Sequence, residues 1–213
     1  TLDRSSCRWE TGASLYARLS QNGGVLATMV NKTGEANPLF AGRVKREIEG
    51  LAWCFTGKLV KLNTKDTGLA IHQDESRDEQ VGIRDFDKNE VLIDETIFRK
   101  MNSVEQAKTI IHEAGHGLIS RDLQDRNMRL RSIVLAVENL YTGAVDATNF
   151  EFALTENGVK IPVGKNAKLL QLAILGQANE QDKAAIRKIP LSEAAKLVYV
   201  EGNSAYQRTG MMY

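Results

Sequence analysis

The chain contains 213 residues, of which 42% are hydrophobic and 26% are charged, and its formal net charge at pH 7 is +1. This is the composition of an ordinary globular protein, long enough for one sizeable core or for two lobes that share a cleft. The near-neutral charge argues against a nucleic-acid partner, and no apolar run approaches the roughly 20 residues that a membrane-spanning helix requires.

In the first half of the chain, helical patterns precede a group of strand-like segments. A short helix is predicted over 12–21, and the apolar run 25–30 is predicted to be a strand. Asn37 followed by Pro38 is typical of a helix start, so a helix is expected from there to Gly50. Strand-like segments separated by polar turns then follow, at about 51–62, 68–72, 81–85 and 90–94.

The second half of the chain has mainly helical patterns. Residues 103–106, Ser-Val-Glu-Gln, match a capping box and predict the start of a helix. A second helix is predicted over about 128–142, ending at Gly143. Residues 156–158, Glu-Asn-Gly, predict a hairpin turn. Helical patterns then follow, at about 166–175, 179–188 and 191–200.

These elements predict an α+β fold in one domain that covers 1–213. A small mixed or antiparallel sheet is expected to pack on the helix that begins near Ser103, in an N-terminal α/β lobe of about 1–120. A mainly helical lobe is expected over about 121–213. The charged stretch 73–80 is interpreted as a solvated loop. One of the last three strand segments is expected at a sheet edge, where an extended peptide can pair with it.

Residues 112–116, His-Glu-Ala-Gly-His, form an H-E-x-x-H motif. Residues four apart lie on the same face of an α-helix, so the imidazoles of His112 and His116 can bind one Zn²⁺. Glu113 can lie near the same ion without binding it, and can act as a general base on a metal-bound water. The chain has three histidines, and two of them belong to this motif. Ala114 and Gly115 belong to an apolar surface together with Ala107, Ile110, Ile111 and Leu118, which indicates a buried helix face.

Residues 109–118, Thr-Ile-Ile-His-Glu-Ala-Gly-His-Gly-Leu, resemble the extended active-site signature of the zincin metallopeptidases. In that signature a Thr or Val stands three residues before the first His, uncharged residues flank the ligands, and a large apolar residue follows. The resemblance implies a zinc-dependent peptidase with Zn²⁺ as its cofactor and a peptide or protein as its substrate. It implies His112 and His116 as metal ligands and Glu113 as the catalytic residue.

A catalytic zinc site usually has three protein ligands, and three residues are candidates for the third. Glu138, on the next predicted helix, is the first choice because it resembles the glutamate that completes the site in gluzincins. Gluzincins often have Asp four residues later, where this chain has Thr142. Asp122 is the second choice, since it has the spacing of the metzincin signature, although Ile119 replaces the glycine of that signature. His72 is the third choice.

Two cysteines, Cys7 and Cys54, are each near a tryptophan, and neither has metal-ligand spacing. They are either two separate buried thiols or one disulfide between the N-terminal segment and the first long strand. A disulfide is typical of proteins outside the cytoplasm. An extracytoplasmic location, secreted or periplasmic, is the corresponding expectation.

Two classes of function are consistent with the motif. The first is a zinc metallopeptidase, a hydrolase in which Glu113 serves as general base and acid. Tyr141, Tyr206 and Tyr213 are then candidates, by residue type alone, for stabilising the oxyanion. The second is a non-catalytic zinc-containing domain that binds a peptide or a partner. A non-peptide amidase, such as a cell-wall hydrolase, would use the same chemistry as the first class. The intact Glu113 favours catalysis, because a purely structural site has no use for it.

Overall fold

The structure is a computed structural model that describes residues 3–63, 68–74, 77, 79–160 and 164–194. Within these ranges the helices are α1 (Gly12–Arg18), α2 (Leu26–Ala36), α3 (Pro38–Gly50), α4 (Glu95–Phe98), α5 (Ser103–Gly115), α6 (Arg126–Thr142), α7 (Ala147–Glu156), α8 (Lys165–Ile174) and α9 (Glu180–Ile186). The strands are β1 (Arg8–Thr11), β2 (Ala52–Thr56), β3 (Leu59–Val60), β4 (Ile71–His72), β5 (Glu79–Gln80), β6 (Gly82–Asp85) and β7 (Glu90–Asp94).

Five of these strands form a mixed sheet in the order β1-β2-β7-β6-β4. β2 and β7 are parallel, and the other neighbours are antiparallel. β3 and β5 form a separate antiparallel pair. The α+β class and the mixed sheet confirm the fold prediction. β4, one of the three predicted edge candidates, lies at one edge of the sheet, opposite β1 at the other.

The two faces of this sheet pack against different surroundings. Trp53, Phe55, Val91 and Ile93 belong to the main core, together with apolar residues of α1 to α3 and α5 to α7. On the other face lies a small cluster of buried residues, Cys54, Leu59, Ile83 and Leu92. Pairing partners in a sheet share a face, and Gly82 pairs with Ile93, Arg84 with Val91, and His72 with Arg84. Gly82, Arg84 and His72 therefore lie on the helix-covered face.

Several helices begin and end where the sequence predicts. The side chain of Asn37 accepts a hydrogen bond from the backbone N–H of Phe40, and Pro38 occupies the first turn of α3. α6 ends at Gly143, whose φ of 79° a residue with a side chain rarely adopts. The capping box of α5 lies one residue earlier than predicted, because its cap is Asn102 and its partner is Glu105. The prediction of α5 itself is confirmed.

Two local predictions were wrong. The segment 25–30 is not a strand but the start of α2, in which Leu26, Met29, Val30 and Thr33 are buried at helical spacing. The turn predicted at 156–158 is instead the end of α7, where Asn157 caps the helix and Gly158 has a φ of 84°. Asn-Gly serves equally well to end a helix, because glycine tolerates the left-handed conformation. The stretch 73–80 also includes β5, so it is only in part a loop.

The predicted helical patterns of the C-terminal lobe correspond to α8 and α9, while most of the segment 191–200 lies outside the described residues. One main core contains residues from both sides of residue 120, including Leu15, Ile93 and Phe150. Of the helices in the described ranges, none combines the length and the apolar character needed to cross a membrane.

Cys7 and Cys54 form a disulfide across 47 positions of the sequence. Cys7 lies just before β1, and Cys54 lies in the middle of β2, where it is fully buried. The bond therefore ties the N-terminal segment to the sheet. Of the two alternatives for these cysteines, the structure has the disulfide.

Candidate metal centre

The last turn of α5 positions the three residues of the motif. His112 and Glu113 belong to this turn, and His116 caps the helix with a φ of −56° and a ψ of −26°. Because these angles are still helical, His116 stays on the same face of the helix as His112. Glu113 and His116 are buried, with 5% and 1% of their surfaces exposed, while His112 is half-buried. The predicted helix thus places the motif in the interior of the protein.

The side chains of the motif converge. One potential ligand atom from each of His112, Glu113 and His116 lies within 4.8 Å of the other two. The Nε2 of His116 is 3.9 Å from the Oε2 of Glu113, and the two imidazole rings are 5.1 Å apart between centroids. Two imidazoles and one carboxylate are donors that zinc accepts. The arrangement is therefore a candidate metal centre.

The side chain of Glu113 extends from α5 and packs against β6. A Cβ atom at Gly82 would lie 2.6 Å from the Cδ of Glu113, so the carboxylate contacts the bare backbone of the strand. The Oε2 of Glu113 is buried and has no hydrogen-bond partner among the described residues. Burial raises the pKa of Glu113 to about 8, against the opposing charge of Arg84. A buried carboxyl oxygen without a partner is costly unless a cation or water occupies the space beside it.

The third histidine of the chain lies beside the motif. The Nδ1 of His72, on the edge strand β4, is 2.9 Å from the Nδ1 of His116. His72 is fully buried, and its ring also makes an edge contact with Phe86 at 4.7 Å between centroids. Its Nε2 has no partner among the described residues. The structure therefore brings His72, ranked last by sequence, into direct contact with the motif.

All three histidines are held in the neutral form. Burial is the main cause, and it lowers the pKa of His72 to about 3 and that of His112 to about 4. The pKa of His116 is likewise well below its ordinary value. Charges of nearby arginines add to the effect, chiefly Arg126 for His72 and Arg131 for His112. Neutral imidazole is the form that binds a metal, so none of the three would have to lose a proton to bind one at neutral pH.

Arg84 is a part of the site that the sequence reading missed. Its side chain is 3% exposed and lies 3.9 Å from Glu47. Its Nη2 donates to the Oδ1 of Asn89, while its Nε and Nη1 have no hydrogen-bond partner among the described residues. Arg84 and Arg121 both contact the ring of Phe86, at 4.8 and 4.1 Å. The one signal in the sequence was a charged residue inside the predicted strand segment 81–85.

Residues at the start of α6 and after β4 cover His112. The side chain of Asn127 forms a hydrogen bond with His112, which partly offsets the fall in its pKa. The same side chain donates through Nδ2 to the backbone carbonyl of Gln73. Beside this contact, Arg131 forms an ion pair with Asp74. These contacts join α6 to the segment after the edge strand, directly over the half-buried histidine.

The structure does not bring Glu138 to the cluster. Its carboxylate is 2.6 Å from the Nζ of Lys108, which lies one helical turn before His112. Lys108 contacts Glu138 and His112 contacts Asn127, so residues later in α5 contact residues earlier in α6, and the two helices are antiparallel. Asn127 lies on the order of 16 Å along the helix axis from Glu138. The choice of Glu138 assumed this direction, but the register of α6 on α5 places Glu138 beside Lys108 and not beside His112.

Asp122 is also apart from the cluster. The chain does turn after α5, with backbone hydrogen bonds from Gly117 to Ala114 and from Leu118 to Gly115. Asp122 nevertheless lies on the surface, where its side chain accepts a hydrogen bond from Ser120. Of the tyrosine candidates, Tyr141 is half-buried against the main core. Residues 206 and 213 lie outside the described part of the chain.

Comparison of the chain with protein-family models, with curated proteins and with solved structures found no match. The functional argument therefore depends on the motif and on the geometry of the site.

Proposed function

We propose that this protein is a zinc-dependent metallopeptidase in which His112 and His116 hold the ion and Glu113 is the general base. The support is the convergence of the three side chains, whose ligand atoms lie within 4.8 Å of one another in the helix-covered interior. The donor set suits zinc, and the unpartnered Oε2 of Glu113 calls for a cation or a water in that space. When bound, zinc would acidify a water and polarise the scissile carbonyl.

In the proposed reaction, Glu113 is the group that moves a proton. Its Oε2 is 3.9 Å from the Nε2 of His116, which keeps the carboxylate near a metal held by that nitrogen without requiring a bond to it. A neighbouring positive charge lowers the pKa of a buried carboxyl, so Glu113 would lose its proton when a cation is present. Its Oε2 can then accept a proton from water and return it to the leaving amine. His112 and His116 remain neutral ligands throughout.

The edge strand β4 supplies a second element of the proposal. β4 carries His72 next to the cluster, and it is one end of the five-stranded sheet. An extended peptide can add to such an edge by main-chain hydrogen bonds. A peptide bound there would lie beside the candidate metal centre. The substrate class that we propose is therefore an extended peptide or a protein segment.

A non-catalytic zinc domain that binds a peptide or partner is the second candidate. One observation favours it: Glu113 and His116 are almost completely buried, and Asn127 covers His112 with a side chain that is also hydrogen-bonded to the backbone of Gln73. Substrate could reach the site only if this cover moved. The two candidates differ in turnover, and so one experiment separates them.

The experiment is cleavage of a peptide library by the zinc-loaded protein, with products identified by mass spectrometry. The wild type should cleave, and Glu113→Gln should bind zinc equally well but lose about 10²–10⁴-fold in rate. Metal-stripped wild type should be inactive and should recover when zinc is restored. Zinc binding without cleavage of any peptide by the wild type would favour the non-catalytic candidate. Cleavage of a non-peptide amide alone would identify an amidase.

We also infer an extracytoplasmic location, secreted or periplasmic. The support is the disulfide between Cys7 and Cys54, which involves both cysteines of the chain. Disulfides persist in oxidising compartments and are rare in the cytosol. Fractionation of the source cells, with the protein detected by antibody, would test this location.

A further inference from the structure

We propose that His72 is a positioning residue for the metal centre: the Nδ1–H of His116 donates a hydrogen bond to the Nδ1 of His72. This bond fixes His116 in the tautomer whose Nε2 carries a lone pair. The inference depends on the proposed function in so far as the Nε2 of His116 is taken as the metal-binding atom. His72 acts through His116 and does not itself bind the ion.

The first argument is the direction of the contact. Two ring nitrogens at 2.9 Å can share only one proton, so one Nδ1 must donate and the other must accept. The Nε2 of His116 is the atom that lies 3.9 Å from Glu113, on the side of the cluster. If that nitrogen is to bind a metal it must carry no proton, and the proton of neutral His116 then resides on Nδ1. His72 must in that case be the acceptor.

The second argument is that His72 has no competing hydrogen bond. Within the described part of the chain its Nε2 has no hydrogen-bond partner, and its Nδ1 contacts only His116. A neutral imidazole that carries its proton on Nε2 offers a lone pair on Nδ1. No other hydrogen bond in the described part of the chain therefore competes with His116 for the Nδ1 of His72.

The third argument is the rigidity of the support. β4 pairs with β6, His72 lies opposite Arg84 in that pairing, and the ring of Phe86 packs against the edge of the imidazole. A metal-binding histidine generally donates its second ring N–H to a fixed acceptor, which sets the ring orientation. In this protein the acceptor comes from the edge strand. The same strand that could receive a peptide thus also orients a ligand of the metal.

The contact argues against His72 as the third metal ligand. Of the three motif residues, His116 is the one that forms a hydrogen bond with His72 in the described part of the chain, and His72 is not part of the group of ligand atoms that lie within 4.8 Å of one another. A third ligand would have to approach both histidines of the motif. The two roles predict different coordination shells, so they can be separated by experiment.

The test compares His72→Ala, His72→Gln and the matched control Ile71→Ala. Ile71 is the other residue of β4, and it packs against the small cluster on the opposite face of the sheet. His72→Ala should weaken zinc binding, measured by chelator competition, by about 10–100-fold. His72→Gln, whose amide oxygen can accept the bond, should recover part of the loss. Ile71→Ala should bind zinc as the wild type does, with circular dichroism to confirm that each variant folds.

Two spectroscopic readouts separate this role from packing and from ligation. X-ray absorption of the zinc-loaded protein should count the same number of imidazole ligands in wild type and His72→Ala. Nitrogen NMR of histidine-labelled wild type should show the proton of His116 on Nδ1, with and without zinc. Loss of one imidazole from the shell in His72→Ala would make His72 a ligand and overturn the proposal. An unchanged zinc affinity in that variant, or a proton on Nε2 of His116, would overturn it equally. Failure of the wild type to bind zinc, with the proton still on Nδ1, would contradict the proposed function but leave the hydrogen bond intact.

Discussion

Gly82 lies directly against Glu113, so that a single added carbon at position 82 would come within 2.6 Å of the carboxylate carbon. Gly82 is on β6 and pairs with Ile93, which belongs to the main core. The strand therefore cannot move away from α5 without disturbing that core. The space that holds the proposed general base exists because residue 82 has no side chain.

Gly82→Ala should consequently displace the carboxylate of Glu113 and destabilise the fold. Overpacking of this kind costs about 1–3 kcal/mol in the free energy of unfolding, measurable by urea titration. A matched control is Gly57→Ala, because a Cβ atom at Gly57 would have nothing within 4 Å. If Gly82→Ala were as stable and as active as the control, Glu113 would not occupy this space.

The metal-free protein should become less stable as the pH rises, because of Glu113. Its pKa is about 8 in the folded protein and 4.5 ordinarily, so its stabilising contribution is complete below about pH 4.5 and is lost as the pH rises through 8. His112 has the opposite effect, at low pH. Its pKa is lowered to about 4, so its contribution to stability is present above pH 6.5 and is lost as the pH falls through 4.

Urea titrations of the metal-free protein between about pH 6.5 and 8.5 isolate the contribution of Glu113. The free energy of unfolding of the wild type should fall across this range, and that of Glu113→Gln should change less. The exposed Glu156, replaced by Gln, is a control that should behave as the wild type. Equal pH dependence in wild type and Glu113→Gln would contradict the buried, protonated state.

Replacing Glu138 by Ala tests the ligand that the sequence favoured. Because Glu138 pairs with Lys108, the variant should keep zinc affinity within a few-fold and lose at most about 1 kcal/mol of stability. The matched variant is Lys108→Ala, which removes the other member of the ion pair. Asp122→Ala should have no effect on zinc binding, measured by chelator competition. A large loss of affinity in Glu138→Ala alone would show that α6 shifts along α5 when the metal binds.

Local signals in the sequence predicted the elements that carry the motif. The caps of α3 and the glycine after α6 are short-range features, and the spacing of His112 and His116 requires only a helix. α2 was missed because only its first turns are strongly apolar, so its period was read over too short a window. Secondary-structure propensities and hydrophobic patterns describe one helix or strand at a time.

The rest of the site depends on long-range packing. β4 has two residues, so no pattern could show that His72 faces His116, from which it is 44 positions distant in sequence. The register of α6 on α5 decides that Asn127, and not Glu138, reaches His112, and register is set by side-chain packing. Arg84 could have been noticed as a charged residue inside a predicted strand. The residues that contact it in the folded protein could not have been named from the sequence.

The disulfide should account for a measurable part of the stability. Protein purified without reductant should have no free thiol, since Cys7 and Cys54 are paired. The double substitution Cys7→Ala and Cys54→Ala should lower the free energy of unfolding by on the order of 2–4 kcal/mol, because the bond restricts the unfolded chain. Reductant should destabilise the wild type and leave the double variant unchanged. Two titratable thiols in the untreated wild type would contradict the bond.

The most direct test of the central claim is the zinc content of the purified protein, measured by mass spectrometry of the metal after exposure to zinc and removal of the excess. The wild type should retain about one Zn²⁺ per chain, as a catalytic site implies. The variant with both His112→Ala and His116→Ala should retain none, while circular dichroism shows that it still folds. Full zinc occupancy in that folded double variant would contradict the assignment of the metal centre.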